Sequence, residues 1–182
     1  VEGDYGKSKA QATLAVLKAV ERGLDAVIVC PAGVTGPYDY KLSEMGLLIL
    51  DYMSRRLKMY IDGGYDFVDV RDVAEGMIRA FVYGGKGEIY ILTGGKITIP
   101  EIMQILEEKT NIKPPALKAP LWAAKLAAMF SPYYYRIMKV RPRFTTYSIR
   151  VLQTKSPIIS QKAQRELGFF PRSLEQSIID SV

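Results

Sequence analysis

The stretch Asp25-Ala26-Val27-Ile28-Val29-Cys30-Pro31-Ala32-Gly33-Val34-Thr35-Gly36-Pro37 decides the fold. Its first six residues form a short, nearly continuous apolar run, the pattern of a strand covered on both faces in a parallel sheet. The remainder is rich in proline and glycine and reads as a loop. Just upstream, residues 5–23 read as a helix. Asp4 is placed to cap it, Leu14, Leu17 and Val20 supply spaced apolar positions, and Gly23 ends it. A helix followed by a strand at this spacing is half of a βαβ repeat.

Working outward, residues 43–57 read as a second helix and 58–70 as two extended pieces broken at Asp62-Gly63-Gly64. Asp72 is expected to open a third helix through a capping box with Glu75, with Val73, Met77 and Phe81 as its inner stripe. Gly84 and Gly85 end it, and residues 88–92 follow as a strand. Thr93-Gly94-Gly95-Lys96 reads as a turn. Thr98 and Glu101 form a second capping box, with Ile97 and Ile102 placed for a hydrophobic staple, on a helix reaching about residue 110. Residues 111–120 read as a connector and 121–130 as an apolar helix, followed by the cluster Tyr133-Tyr134-Tyr135. Two final helical pieces start near Ser160 and Ser173, and Gly168 ends the first. The pattern predicts an α/β chain that alternates helix and strand over its first ninety-odd residues and is mainly helical beyond.

Composition narrows the chemistry. A single cysteine, Cys30, excludes an intramolecular disulfide, suits a reducing compartment and points to the cytoplasm. There is no histidine, so a histidine-based triad or a histidine-ligated metal is excluded, as is a four-cysteine zinc site, and no metal site is expected. The net charge of +6 is uneven: residues 109–165 hold twelve Lys/Arg and no acid. Such a stretch reads first as a solvated basic face. No nucleic-acid motif accompanies it. The apolar stretch 121–130 contains Lys125 and falls well short of the ~20 residues a membrane span needs, so no integral membrane segment is predicted. The chain begins Val1-Glu2-Gly3-Asp4 at a helix entry, without a leader pattern or methionine, and reads as a fragment or processed product.

Tyr5-Gly6-Lys7-Ser8-Lys9 carries the sharpest chemistry. Tyr and Lys four apart share one helix face, one turn apart. A phenol with its ordinary pKa near 10 is a poor acid–base at neutral pH. A nearby ammonium favours the phenolate, which lets the phenol exchange a proton with a carbonyl or alcohol oxygen. Thr13 and Val16 are small enough to pack inward, which would put the pair at the mouth of a buried helix.

Tyr5-x-x-Ser8-Lys9 resembles the motif of the extended short-chain dehydrogenase/reductases, and two further segments fit that family in order and separation. Cys30-Pro31-Ala32-Gly33-Val34-Thr35-Gly36-Pro37 is similar to its Arg-Pro-x-x-(Val/Ile)-x-Gly-Pro loop. Phe67-Val68-Asp69-Val70-Arg71-Asp72-Val73-Ala74 is similar to its Phe-(Val/Ile)-x-Val-x-Asp-Val-Ala segment. The likeness covers essentially the whole chain and is strongest to dihydroflavonol-reductase-like and epimerase/dehydratase-like members. It implies the C-terminal part of a Rossmann-type, doubly wound parallel sheet plus a smaller, mainly helical substrate-binding domain. Residues 1–36 and 66–96 would belong to the dinucleotide-binding part, and 37–65 and 97–182 to the substrate part. It implies NAD or NADP as cofactor and a small carbonyl or alcohol as substrate. Tyr5 would be the acid–base residue. Lys9 would assist it and bind the nicotinamide ribose. Pro31, Ala32, Gly33 and Val34 would lie against the nicotinamide, the rigid Pro31 lacking an N–H and Gly33 allowing backbone near a flat ring. Thr35, Tyr38, Tyr40 and Tyr65 are the candidate substrate contacts.

Three positions depart from the pattern. Cys30 stands where the loop usually has Arg, and Thr35 where epimerases often have Tyr. Tyr65 stands where many nucleotide-sugar enzymes have a diphosphate-binding Arg, whose bidentate fork a phenol cannot reproduce. The resemblance therefore favours a reductase or dehydrogenase. A nucleotide-sugar epimerase or dehydratase, or a catalytically silent NAD(P)-binding regulatory protein, are the alternatives. No glycine-rich phosphate loop occurs in the chain. Dinucleotide binding is thus expected to be incomplete without a missing N-terminal half of the same protein, and a homo-oligomer is a further expected partner.

Overall fold

A computed structural model describes residues 3–120, 122–123 and 157–182. Nearly all of the anticipated helix at 121–130, the Tyr133–Tyr135 cluster and most of the basic stretch lie outside the described residues. The elements run α1 (Gly3–Glu21), β1 (Ile28–Pro31), β2 (Gly33–Thr35), α2 (Glu44–Met53), β3 (Met59–Ile61), β4 (Gly64–Asp69), α3 (Val70–Tyr83), β5 (Ile89–Leu92), β6 (Gly95–Thr98), α4 (Ile99–Thr110) and β7 (Leu117–Ala119). Two short helices follow, α5 (Gln161–Leu167) and α6 (Leu174–Ile179).

Parallel pairing dominates, as the apolar run of β1 predicts. β1 pairs in parallel with β5, Ile28 opposite Ile89. β2 pairs in parallel with β4, Thr35 opposite Asp69. β6 adds an antiparallel edge to β4, and β3 pairs in parallel with β7. Two expectations change here. The run 93–96 is a turn only at its start, because from Gly95 onward it is a strand. The connector 111–120 contains β7. Both strands are three or four residues long and are held by partners far away in sequence, so no local periodicity marks them.

Two apolar cores result. The first joins Val68, Ala80, Tyr90 and Leu92 with Ala163, Leu167 and Phe169, so α5 packs with the β1–β5 sheet and α3. The second joins Met45, Ile49 and Tyr52 of α2 with Ile97, Ile102, Met103 and Leu106, and with Leu174 and Ile178 of α6. Each fully buried side chain of this size stabilises the fold by roughly 1.5–3 kcal/mol. The Tyr52 hydroxyl donates to the Ile112 carbonyl and ties α2 to the end of α4. Burial, reinforced by the negative charge of Glu107, pushes the Tyr52 phenol above its ordinary pKa.

Helix ends follow their caps. Thr98 and Glu101 form the expected capping box on α4, and Ile97 and Ile102 are both buried beside it. Ser43 caps α2 and Ser173 caps α6, while Gly168 closes α5 in the left-handed region at φ 63°. α2 stops at Met53 rather than reaching 57, because the chain turns through a left-handed Arg55.

α3 departs most. It begins at Val70 with Asp69, not Asp72, as its cap. Its buried face is Asp72, Gly76 and Ala80, while Met77 is 56% and Phe81 85% exposed; of the predicted stripe only Val73 packs against a core. The reason is proximity. A Cβ on Gly76 would stand 2.5 Å from a methyl of fully buried Leu92 and 3.3 Å from Phe169, so small residues bring α3 onto β5 and the large ones point away. The expectation of a buried α1 also changes: no residue of α1 is buried, and Thr13 and Val16 are half-covered.

Candidate active site and its cleft

Tyr5 and Lys9 lie in the first turns of α1, where the four-residue spacing sets them on one face. The Lys9 ammonium is 5.6 Å from the centroid of the Tyr5 ring. That is within the range of a cation–π contact. Tyr5 is 74% exposed.

The run 31–35 is not a loop throughout. β1 extends through Pro31, and after Ala32 the chain enters β2 at Gly33. The Ala32 N–H donates to the Leu92 carbonyl at 2.9 Å, which fixes the step between the two strands. Gly33 is needed for a reason the sequence did not reveal. A Cβ there would lie 2.9 Å from the Phe67 ring and 3.1 Å from the Asp66 carbonyl, so the glycine accommodates β4. Pro31 and Val34 are exposed.

Beyond β2 the backbone turns at Gly36, φ 123°, where a Cβ would meet an Asp69 carboxylate oxygen and a Val70 methyl, each at 3.2 Å. The next residues wall a cleft of about 800 Å³. One side is Val34 to Asp39, the second is α2 through Ser43, Ile49, Leu50 and Met53, and the floor is Val70 with Asp180, Ser181 and Val182. Tyr38 stands at this cleft with φ 71°. A non-glycine residue held there carries strain of order 1–3 kcal/mol, which clusters at functional sites. Tyr40, 89% exposed, lies with its ring centroid 6.4 Å from that of Tyr38.

The structure therefore brings Val34, Thr35 and Tyr38 to one cleft and leaves the other candidates off its lining. Tyr5 and Lys9 pair on α1. Tyr40 neighbours Tyr38 outside the lining. Tyr65 packs on Phe67, ring centroids 5.5 Å apart, and does not reach the cleft.

Beneath the cleft lies a charge cluster that sequence reasoning missed. Asp69 Oδ1 accepts from the Arg71 backbone N–H at 2.8 Å and from Nε at 2.9 Å, and Oδ2 accepts from Nη2 at 2.7 Å. The same Nη2 is 2.6 Å from Asp180 Oδ2. Arg172 holds Asp72 through its backbone N–H and its Nε, each at 2.8 Å. The Asp69 side chain is wholly buried. Burial works to raise its pKa, but hydrogen bonds from Arg71 and Ser177 and the Arg71 charge prevail and hold it at about 2. The signal was present in Asp69-Val70-Arg71-Asp72, but partners a hundred residues away gave it no local mark.

Residues 2–92 match the NAD dependent epimerase/dehydratase family. The chain belongs to that family. Members of that family are NAD dependent. Among curated relatives, sterol demethylase protein B of Methylococcus capsulatus is 37% identical over 98% of this chain and 55% of its own length. A Synechocystis protein named as a dihydroflavonol 4-reductase is 30% identical over 99% of this chain and 54% of its own length. The crystal structure of gox2253 superposes with a TM-score of 0.79 at 33% identity, covering 98% of this chain and 55% of that one. The fold is thus the Rossmann-type α/β architecture of these proteins, and the chain spans about half the length of the curated relatives it matches. Among the described residues no helix is long and apolar enough to cross a membrane.

Proposed function

We propose that the protein containing this chain is an NAD(P)-dependent reductase or dehydrogenase acting on a small apolar or aromatic carbonyl or alcohol, with the cleft under Tyr38 as the substrate site. The observation that carries this reading is the lining of the cleft. Its described walls are largely apolar, with Val34, Pro37, Leu42, Ile49, Leu50, Met53 and Val70. Its charged members are two carboxylates, Asp39 and Asp180, and no described lining residue is Lys or Arg. Apolar walls with a few oriented polar groups suit a flat apolar ligand. A diphosphate would instead meet like charge at short range. Tyr65, half-buried against Phe67, offers no guanidinium to replace the arginine of a diphosphate site. The relatives' names, sterol demethylase protein B and a dihydroflavonol 4-reductase, point the same way.

Bound NAD(P) supplies or accepts the hydride. In the reductive direction, Tyr5 would give its phenol proton to the substrate carbonyl oxygen as the carbonyl carbon gains that hydride. Solvent would return a proton to Tyr5, and Lys9 would bind the nicotinamide ribose. Pro31, Ala32, Gly33 and Val34 border the nicotinamide, and Thr35, Tyr38 and Tyr40 contact substrate. We also assign residues 1–36 and 66–96 to the dinucleotide-binding part and 37–65 and 97–182 to the substrate part. The core of α2, α4 and α6 supports the substrate part, whereas α5 packs in the other core with β5 and α3.

The test is a competition assay on the whole protein. Aromatic ketones and aldehydes are expected to be reduced with NADH or NADPH, with no inhibition by millimolar UDP or dTDP. Tight inhibition by either nucleotide and no carbonyl turnover would promote a nucleotide-sugar epimerase or dehydratase instead.

A further inference from the structure

The floor of the cleft is made by two segments remote in sequence, and one side chain joins them. Val70 opens α3, while Asp180, Ser181 and Val182 follow α6. Arg71 is not on the lining, yet its Nη2 lies 2.7 Å from Asp69 and 2.6 Å from Asp180. Asp69 in turn sits under the Gly36 turn, where its carboxylate would be 3.2 Å from any Cβ added there, and opposite Thr35 in the parallel pair β2–β4. One guanidinium therefore links the strand that carries Thr35, the turn that leads to Tyr38, and the segment that closes the cleft from below.

We propose that Arg71 is a positioning residue for the substrate: by bridging Asp69 and Asp180 it fixes the 180–182 segment against the 35–38 turn and so sets the width of the cleft. This rests on the cleft being the substrate site. The fork geometry is what makes the bridge directional. A guanidinium holds Asp69 through two parallel bonds and still presents a third to Asp180, whereas a lysine ammonium at the same place lacks the planar fork. Asp69 is wholly buried while Asp180 is a quarter exposed, so the bond to Asp69 is the anchor and the bond to Asp180 the adjustable one.

Arg71→Ala would leave Asp69 buried without its main partner, a change that can cost the fold. Two milder variants of the whole protein separate position from stability. Asp180→Asn keeps the Arg71–Asp69 fork intact. Arg71→Lys keeps every charge at the cleft. With the best-reduced aromatic ketone as probe, both are expected to raise its KM about five- to tenfold, the scale of one lost ion-pair contact. The kcat and the KM for NAD(P)H should stay within about twofold. Hydrogen exchange should rise in residues 33–42 as well as in 174–182. Unchanged KM in both variants would overturn the proposal, as would exchange that rises in 174–182 alone. A KM that rises in Asp180→Asn but not in Arg71→Lys would overturn it in favour of a charge effect. Should no carbonyl compound turn over, the substrate reading fails, and the exchange measurement still decides whether the bridge positions the 33–42 segment.

Discussion

At the scale of single residues, the proposed chemistry depends on two side chains one helical turn apart. Tyr5→Phe in the whole protein removes the proton donor and leaves the ring. The kcat is expected to fall ~10²-fold or more, with NAD(P)H affinity nearly unchanged. Lys9→Met should weaken both, because Lys9 serves the ribose as well as the phenol. Wild-type turnover in Tyr5→Phe, measured by NAD(P)H absorbance, would exclude that role. Asp69 gives a second prediction. Its folded pKa is depressed from 3.8 to about 2. The stabilisation it contributes is therefore complete above the ordinary carboxylate range and is lost as the pH falls from about 4 towards 2, amounting to roughly 2 kcal/mol. Urea unfolding between pH 2 and 6 should show Asp69→Asn with a flatter pH dependence than the wild type in that window.

At the scale of elements, the sequence was most readable where a local rule and the tertiary environment agree. Thr98 and Glu101 satisfy each other within one turn, so the start of α4 needed no distant information. The start of α3 was read at Asp72 because that residue stands three before Glu75, a capping-box spacing. The choice fell to Asp69 through its position opposite Thr35 and its Arg71 fork, while Asp72 was taken by Arg172. The buried face of α3 was misread because its smallest residues are the ones that pack. Gly76→Ala tests this. On an open helix the change would stabilise by about 1 kcal/mol. Here Leu92 is wholly buried against the same site and has no free side to move to, so we expect a net loss of about 1–3 kcal/mol in chemical denaturation.

At the scale of the whole molecule, the alternation of helix and strand and the parallel pairing were legible in the first ninety residues, as was the placing of Tyr5 and Lys9 on one helix face. The cleft was not. Its upper wall was foreshadowed at Thr35 and Tyr38, but its floor comes from 180–182, and no local pattern joins those residues to a turn nearly 150 positions earlier. Tyr65 lies off the cleft lining for a related reason: it is two residues from Phe67 on β4 and packs against that ring. Because the chain spans about half of its relatives and contains no glycine-rich phosphate loop, we expect it to bind NADPH or NADH at least 10²-fold more weakly than the whole protein. Equal affinities by fluorescence titration would contradict this.

α1 has nineteen residues and buries none of them. Only a half-buried stripe that includes Val16, Leu17 and Val20 docks it, so its opening free energy lies towards the lower end of the range within a fold. Trypsin offered the chain alone should cut after Lys7, Lys9 and Lys18 well before either core yields. The spacing of Tyr5 and Lys9 exists only while those turns are wound. Catalytic competence would then be assembled by docking rather than by folding, and whatever surface seats this helix would also govern how long the phenol and the ammonium stay in register.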